Sequence, residues 1–403
     1  MTPPTTAQPH PQAKGPKLDA KAFEKVRRIA PNLLAARRAE RDGVDTEWHA
    51  RPLPEEVAFK LTNRCDLRCE HCYQWNGKGY HHGLGGGDLD LAVVEKVLAA
   101  TRELKSNVYL WGGEPLVYRQ WNGLVDLLER ERRWTSVCTN GTMIERRLDG
   151  LLRISERLEL VVAVDGFEAE HDALRGRGAF ARMMGGLRAL AEAKRAGTYR
   201  GEITVNCVFQ DAMIGRLFDL VGFLEEVGVE TVYLSFPWHL SDATSARMDG
   251  HVAAHFPWLE MPAGERRPSW HSYKFRIDPA RLEDLRADLA RIDARRDAGR
   301  WRVKLRYNPK LAAGEMAEFL AGGDRPAQNK TRCVVHRTRM DVFPGGDVVS
   351  CKFFPEFTVG NLTEAEVAEV WQGAPYDRVR ETVARCGLMP VCAKCNLLYT
   401  RGL

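Results

Sequence analysis

The stretch 60-KLTNRCDLRCEHCYQWN-76 follows directly on the short alternating run Val57–Thr62, so a strand opens into a loop carrying three cysteines within eight residues. Open and barrel-type α/β folds both place their chemistry at such strand ends. The spacing C-x3-C-x2-C, at Cys65, Cys69 and Cys72, supplies three thiolates, and thiolates select soft metals: zinc or an iron–sulfur cluster. Zinc would need a fourth ligand, which His71 or His81 could supply. A cubane held by three cysteines would instead leave one iron open to an outside ligand. The spacing favours the cluster.

Outward from this loop the chain becomes rhythmic. Predicted strands at Val57–Thr62, Val108–Trp111, Trp134–Thr139, Leu158–Val164, Ile203–Phe209 and Val229–Phe236 alternate with helical patterns at Leu89–Leu104, Trp121–Glu131, Met143–Ile154, Phe180–Ala196 and Leu217–Val227. Short strands alternating with longer helices are the signature of βαβ units on a parallel sheet. Periodicity alone leaves open whether the six strands form an open doubly wound sheet or a barrel-like (β/α)6 sheet. After Phe236 the rhythm stops. Pro237–Tyr273 reads as an irregular insertion with Trp238, Trp258, Trp270, His239, His251, His255 and His271, placed where a lid over a substrate would sit or where an arm would close the sheet edge. A charged helix at Leu282–Ala298 and a strand at Trp301–Tyr307 follow. Before Val57 the chain is Pro/Thr/Gln-rich, then helical around Leu18–Arg41.

The three-cysteine loop resembles the hallmark of the radical S-adenosylmethionine (SAM) superfamily, C-x3-C-x-aromatic-C, with His71 at the usually aromatic position. Further motifs extend the resemblance across residues 55–240. The run 110-LWGGEPL-116 is similar to the family's Gly-Gly-Glu-Pro motif, 138-CTNGT-142 to a strand end beside the cofactor, and 163-AVDGFEAEHDALRGRGAF-180 to the stretch facing the ribose and carboxylate of SAM. The resemblance implies a partial (β/α)6 TIM-like barrel of class α/β. It implies a [4Fe–4S] cluster on Cys65, Cys69 and Cys72 whose open iron SAM chelates. Gly112 and Gly113 would let the backbone approach, Glu114 would hold the SAM amine, and Asn140 would lie near the cofactor. Asp165 would face the ribose, Arg175 the SAM carboxylate, and Asn206 occupies a comparable position on the next strand. Many relatives carry Ser where Ala163 stands, which removes one ribose-side contact. From the residues alone, Glu114, Asn140, Asp165 and Asn206 are polar groups at the ends of otherwise apolar strands, where a buried carboxylate must be paired or solvated.

Five more cysteines crowd the tail. Cys333 and Cys351 stand as C-x12-G-x4-C around a predicted hairpin at Pro344-Gly345-Gly346, and 386-CGLMPVCAKC-395 closes the set. An all-thiolate zinc site and a fully ligated cluster are both physically allowed. The tail resembles the SPASM and shorter Twitch extensions of radical SAM enzymes. With five cysteines it implies one auxiliary [4Fe–4S] cluster on Cys333, Cys351, Cys392 and Cys395, with Cys386 left over. The organisation expected is an N-terminal extension at 1–54, a radical SAM core at 55–236, the His/Trp-rich insertion with its helix and strand at 237–308, and the cluster module at 309–403.

Composition sets the remaining bounds. The 59 basic and 54 acidic residues are well mixed and the net charge is only +5, which gives no support to a dedicated nucleic-acid surface. No apolar run reaches membrane-spanning length and no signal peptide is evident, so ten cysteines point to a cytoplasmic protein with metal chemistry. The expected activity is hydrogen abstraction by a 5′-deoxyadenosyl radical, giving net oxidation or rearrangement of a small polar secondary metabolite. The segment before Val57 is too short for the leader-binding domain common in peptide-modifying relatives. The alternatives are a maturase that oxidises, epimerises or crosslinks a ribosomally made peptide, and a non-enzymatic zinc scaffold. A flavodoxin- or ferredoxin-like protein is the expected electron donor. Cys386 and His239 are the candidate catalytic side chains.

Overall fold

Aliphatic residues in strict alternation build the sheet. In the computed structural model, residues 52–77, 79–81, 87–262 and 266–402 are described. The helix expected at Leu18–Arg41 and almost all of the 1–54 extension lie outside them. Ten strands form one sheet: β1 (Glu56–Lys60), β2 (Asn107–Trp111), β3 (Thr135–Thr139), β4 (Leu158–Ala163), β5 (Glu202–Val208), β6 (Thr231–Ser235), β7 (Lys304–Asn308), β8 (Arg339–Val342), β9 (Asp347–Val349) and β10 (Thr358–Asn361). Their order is β10-β9-β8-β1-β2-β3-β4-β5-β6-β7. From β1 to β7 every neighbour is the next strand in sequence and every pair is parallel. A doubly wound sheet would reverse its order at a switch point. This winding continues in one direction, as in a barrel, and stops short of closure.

Two elements extend the six-strand expectation. β7 joins β6 as a seventh parallel strand, and β8 pairs parallel with β1 on the far side, Val57 opposite Met340. The expected hairpin is present: β8 and β9 run antiparallel through Pro344-Gly345-Gly346, with φ of 88° and 89° at the two glycines, a left-handed conformation only glycine adopts without strain. The cysteine-bearing tail therefore continues the barrel sheet. The insertion is also more regular than expected. Asp242–His255 is a 14-residue helix whose N-terminus is capped by Ser241 Oγ accepting from Thr244 N at 3.1 Å. Its prolines and glycines lie mainly outside this helix, which explains why an irregular segment was expected there. Among the described residues no helix is long and apolar enough to cross a membrane.

The two faces of the parallel sheet differ. Val108, Leu110, Val137, Leu160, Val162, Val205 and Leu234 are sealed against the surrounding helices. The opposite phase, Tyr109, Ser136, Cys138, Val161, Ala163, Asn206 and Tyr233, remains partly accessible. A closed barrel fills its interior with packed side chains; here the inward-facing set mixes polar and apolar groups and is not sealed from solvent.

A buried ionic knot fastens the tail to the first strand. Arg339 bonds both oxygens of Asp341 at 2.8 Å and also reaches Glu56, whose other oxygen takes Arg401 from the last helix. Burial pushes the Glu56 carboxyl up, but Arg401 and Arg339 outweigh it and hold it below its ordinary value of 4.5. A depressed folded pKa stabilises the fold above that ordinary value and is lost as pH falls through the depressed one. Glu56→Ala should lower the urea-unfolding free energy at pH 7 by about 3 kcal/mol, because buried Arg339 loses one of its two carboxylates and the partly buried Arg401 loses its own. Its acid-side stability loss below pH 4.5 should be shallower than that of the parent. Equal acid limbs in the two proteins would refute the assignment.

Candidate active site

The end of β2 lies against the end of β1, and this contact builds the first site. Gly113 N donates to Thr62 O and Glu114 N to Arg64 O, both at 2.8 Å. A Cβ at Gly113 would sit 2.2 Å from Arg64 O, and one at Gly112 2.6 Å from Thr62 O. The glycines thus allow close backbone approach, and in this structure the surface approached is the root of the cysteine loop.

Cys65, Cys69 and Cys72 gather in a small cluster with Leu67 and Ala179. Weak donors surround the sulfurs: Leu67 N lies 3.4 Å from Cys65 Sγ, Asn140 Nδ2 3.9 Å from it, and Arg175 Nη1 3.7 Å from Cys69 Sγ. Burial pushes all three thiols up, Cys69 to about 11. A cationic metal centre would reverse that preference by holding them as thiolates. His81 is not beside them as a fourth ligand; its Nε2 is 2.5 Å from Lys60 Nζ and 2.8 Å from Gln74 Oε1. His71 sits 3.5 Å from Asp165 Oδ2 and 3.4 Å from Arg175 Nη2, and burial pushes it down to about 4.

Glu114 is wholly buried. Its oxygens accept from Leu116 N (2.9 Å), Thr139 Oγ1 (2.7 Å) and Asn140 N (2.7 Å). None of these donors is a cation, and burial pushes the carboxyl up to about 7 despite them. The buried carboxyl thus has three neutral donors, and among the described residues no cation is bonded to it. Asn140 bonds Asp66 Oδ1 at 2.8 Å, tying the end of β3 to the cysteine loop. Asp165, beyond β4, takes Val208 N at 2.8 Å on one oxygen and Arg175 Nε and Nη2 at 2.6 and 2.5 Å on the other. Burial raises the Asp165 carboxyl, but Arg175, then His71, hold it below the ordinary range. Arg175 is thereby committed to Asp165 and Cys69. Asn206 accepts from Ser235 Oγ at 2.7 Å on the lumen face.

The second set assembles from three segments. Cys351 lies within electrostatic reach of Cys395, Cys392 and Cys333, and Cys392 of Cys333 and Cys395, so the four thiols share one neighbourhood. Cys386 does not join them. It ends the helix Ala374–Cys386 and lines a separate cavity of about 550 Å³ with His251, His255, Asp324 and Arg385. Among the described residues no three His, Cys, Asp or Glu side chains close on a point that a single metal ion would occupy.

The insertion's aromatic and imidazole groups are dispersed. Trp238 packs 4.1 Å from Phe353 and 5.6 Å from Tyr273 at the lumen mouth. Trp270 bonds Asp249, Trp258 stacks on Arg378, and His271 also reaches Asp249. His239 packs against Gly322, and burial pushes it down to about 4. The four histidines do not converge on one ligand.

Sequence reasoning missed the lumen between the two cysteine sets. Tyr73 stacks on Tyr273 (4.6 Å between centroids) and lies within electrostatic reach of Cys72, Cys138 and Cys395. Cys138, which reads as isolated in an apolar run, is bonded to Tyr109 there. Buried Lys60 and Lys352 flank Trp111. The signal available was the phase of Tyr109 and Cys138, opposite to Leu110 and Val137; a lysine following a cysteine carried none.

The comparisons agree with this geometry. The Radical SAM superfamily model matches residues 59–211, and the iron–sulfur cluster-binding domain called SPASM matches 333–396. The chain is 26% identical over 349 residues to the mycofactocin maturase MftC of Mycobacterium ulcerans, covering 84% of this chain and 81% of that one. It is 29% identical over 138 residues to the antilisterial bacteriocin subtilosin biosynthesis protein AlbA of Bacillus subtilis, 32% of this chain and 29% of that one. The fold superposes on Streptococcus suis SuiB bound to precursor peptide SuiA with a TM-score of 0.56 at 15% identity, covering 98% of this chain and 79% of that one. With both cysteine sets on one partial barrel and both family models matched, the chain belongs to the radical SAM superfamily as an enzyme that generates a 5′-deoxyadenosyl radical and carries a C-terminal SPASM-type iron–sulfur module.

Proposed function

We propose that this chain is a maturase that abstracts hydrogen from a residue of a ribosomally made precursor peptide held in the lumen. The observation carrying this reading is the similarity to a maturase over 84% of the chain, supported by a fold shared with a protein solved with its precursor peptide. It favours a peptide over the small polar metabolite that sequence analysis placed first. Partly accessible inward-facing side chains, polar and apolar together, suit a peptide segment as well as a metabolite.

The residues fit the cofactors by their chemistry. In this reading Cys65, Cys69 and Cys72 hold the SAM-binding [4Fe–4S] cluster, and Cys333, Cys351, Cys392 and Cys395 one auxiliary cluster. When bound, SAM and the first cluster supply the radical, given one electron from a flavodoxin- or ferredoxin-like donor. Glu114 receives the SAM amine, which meets the cation its three neutral donors lack. Arg175 remains on Asp165 and orients that carboxylate toward the cofactor, with one guanidinium edge near the cysteine loop. Asn140 and Asn206 flank the same space from β3 and β5. The dry surface formed by Tyr73, Tyr273, Trp238 and Phe353 keeps water from the reacting position.

The test is an anaerobic reaction of reconstituted enzyme with SAM and reductant, offered peptides encoded beside its gene and, separately, sugars and cyclitols. Peptide-dependent 5′-deoxyadenosine with a changed peptide mass, and deuterium passing from labelled peptide into the nucleoside, is the expected result. Turnover confined to sugars or cyclitols would return the assignment to a metabolite.

A further inference from the structure

The partial barrel leaves two outer strands, and one of them, β7 (Lys304–Asn308), pairs with β6 on one side only. In a parallel pair, alternate residues turn both main-chain N–H and C=O to the same neighbour. Lys304 N donates to Glu230 O at 2.8 Å and Asn308 O accepts from Phe236 N at 3.1 Å. Lys304, Arg306 and Asn308 therefore turn their main-chain groups to β6, and Leu305 and Tyr307 turn theirs outward. Among the described residues these outward groups have no hydrogen-bond partner. Two donors and two acceptors stand ready along one strand edge.

The side chains add charge to that template. Arg306 stands opposite Tyr233 and faces inward with it, and Lys304 shares that face. Tyr307 takes the other face and donates to Asp293 of the helix Leu282–Asp297 at 2.7 Å. Lys304, Arg306 and, just beyond the strand, Lys310 are exposed, and among the described residues none of the three has an ion-pair partner. They are not the cations that face the cluster thiols, which are Arg175, Lys60, Arg401 and Lys352. Cations on an outer strand keep it from pairing with a second copy of itself. The same cations favour an acidic strand, because opposite charges across two strands attract. We propose that β7 is the docking edge for the precursor peptide. An extended segment with acidic residues at alternate positions adds to the sheet there, its main chain bonded to Leu305 and Tyr307 and its carboxylates opposite Lys304 and Arg306. This rests on the peptide reading above and adds where, and by what chemistry, the peptide is held.

The probe is a fluorescein-labelled hexapeptide with blocked ends, Glu-Val-Glu-Thr-Glu-Val, against its Lys-Val-Lys-Thr-Lys-Val counterpart, read by anisotropy on reconstituted enzyme. The acidic peptide should bind about 10-fold tighter than the basic one, and the difference should shrink as salt rises. Lys304→Glu together with Arg306→Glu should invert the preference. Leu305→Pro removes an outward N–H and no bond to β6, where an outer strand tolerates proline, and should weaken the acidic peptide about 10-fold. Iron content and peptide-free SAM cleavage should stay at the parent's level in both variants. Equal binding of the two peptides, or none at about 0.5 mM enzyme, overturns the proposal. So does an acidic preference that survives the double charge reversal. A parent that sediments as a dimer, made monomeric by Leu305→Pro, gives the edge to a second copy and overturns it too. The hexapeptides need no turnover, so failure of the maturase reading is seen separately. Once a precursor peptide is turned over, Leu305→Pro should raise its KM about 10-fold with kcat unchanged. An unchanged KM removes the docking edge and leaves the maturase reading standing.

Discussion

Replacing Cys65, Cys69 and Cys72 together with alanine should abolish 5′-deoxyadenosine formation altogether while leaving about four of about eight irons per chain on the C-terminal set. The expectation follows from the separation of the two sets. The N-terminal thiols pack with Leu67 and Ala179, whereas Cys333, Cys351, Cys392 and Cys395 are brought together by the β9 end and the Pro390–Lys394 turn. No residue is shared between them. Anaerobic reconstitution, iron analysis and chromatography of the SAM reaction read both quantities in one experiment. Residual SAM cleavage in the triple variant would remove the assignment of the radical-generating cluster. About twelve irons in the parent enzyme, or about four with one zinc, would remove the single auxiliary cluster.

Arg175→Met should destabilise the protein by about 3–5 kcal/mol, because it leaves the Asp165 carboxylate buried without its cation. Asp165 is fully buried; Arg175 Nε and Nη2 lie 2.6 and 2.5 Å from its carboxylate, with Val208 N at 2.8 Å and His71 Nε2 at 3.5 Å. The pH dependence carries a definite sign. In the parent, the depressed Asp165 pKa contributes stability that is present above the ordinary value of 3.8 and lost as pH falls through the depressed one. In Arg175→Met burial is no longer outweighed, the carboxyl is pushed up, and the deficit grows as pH rises through its new value. Asp165→Asn in the same background should recover much of the loss, since the buried charge is then gone. Anaerobic urea unfolding of the two single variants, the double variant and the parent, at pH 5 and pH 8, measures this. Additive losses in the double variant would show that the pair does not act as a unit.

The two variants probe different depths of the same strand-end construction. In the proposed assignment the cysteines would touch the metal directly; the Arg175–Asp165 pair links the end of β4, Val208 of β5 and Cys69 in one arrangement. Loss of the pair should therefore reduce iron retention at the N-terminal set as well as global stability, while the C-terminal set keeps its iron.

Short-range pattern was sufficient for much of this protein. Alternation of strands and helices marked the βαβ units because periodicity is local, and the positions of Trp121–Glu131 and Leu217–Val227 agree with the structure at both ends. The C-x3-C-x2-C loop, Gly112-Gly113-Glu114 and Asn140 could be read because each is a short motif at a strand end, where one face of the backbone must meet a ligand or a neighbouring strand. The hairpin at Pro344-Gly345-Gly346 was legible for the same reason: only glycine takes its two left-handed positions. Barrel versus doubly wound sheet was not legible in periodicity, since strand order depends on which edge each crossover returns to; the motif resemblance supplied the partial barrel, and the strand order agrees with it. Nor was the role of β8, which closes on β1 from 283 residues away through Arg339 and Glu56. The commitment of Arg175 to Asp165, the dispersal of the four insertion histidines, and the stacking of Lys352 over Tyr109, Trp111 and Phe353 were decided by tertiary packing alone. Burial and the partners available to a charge are properties of the assembled lumen, and those set the electrostatics on which the chemistry depends.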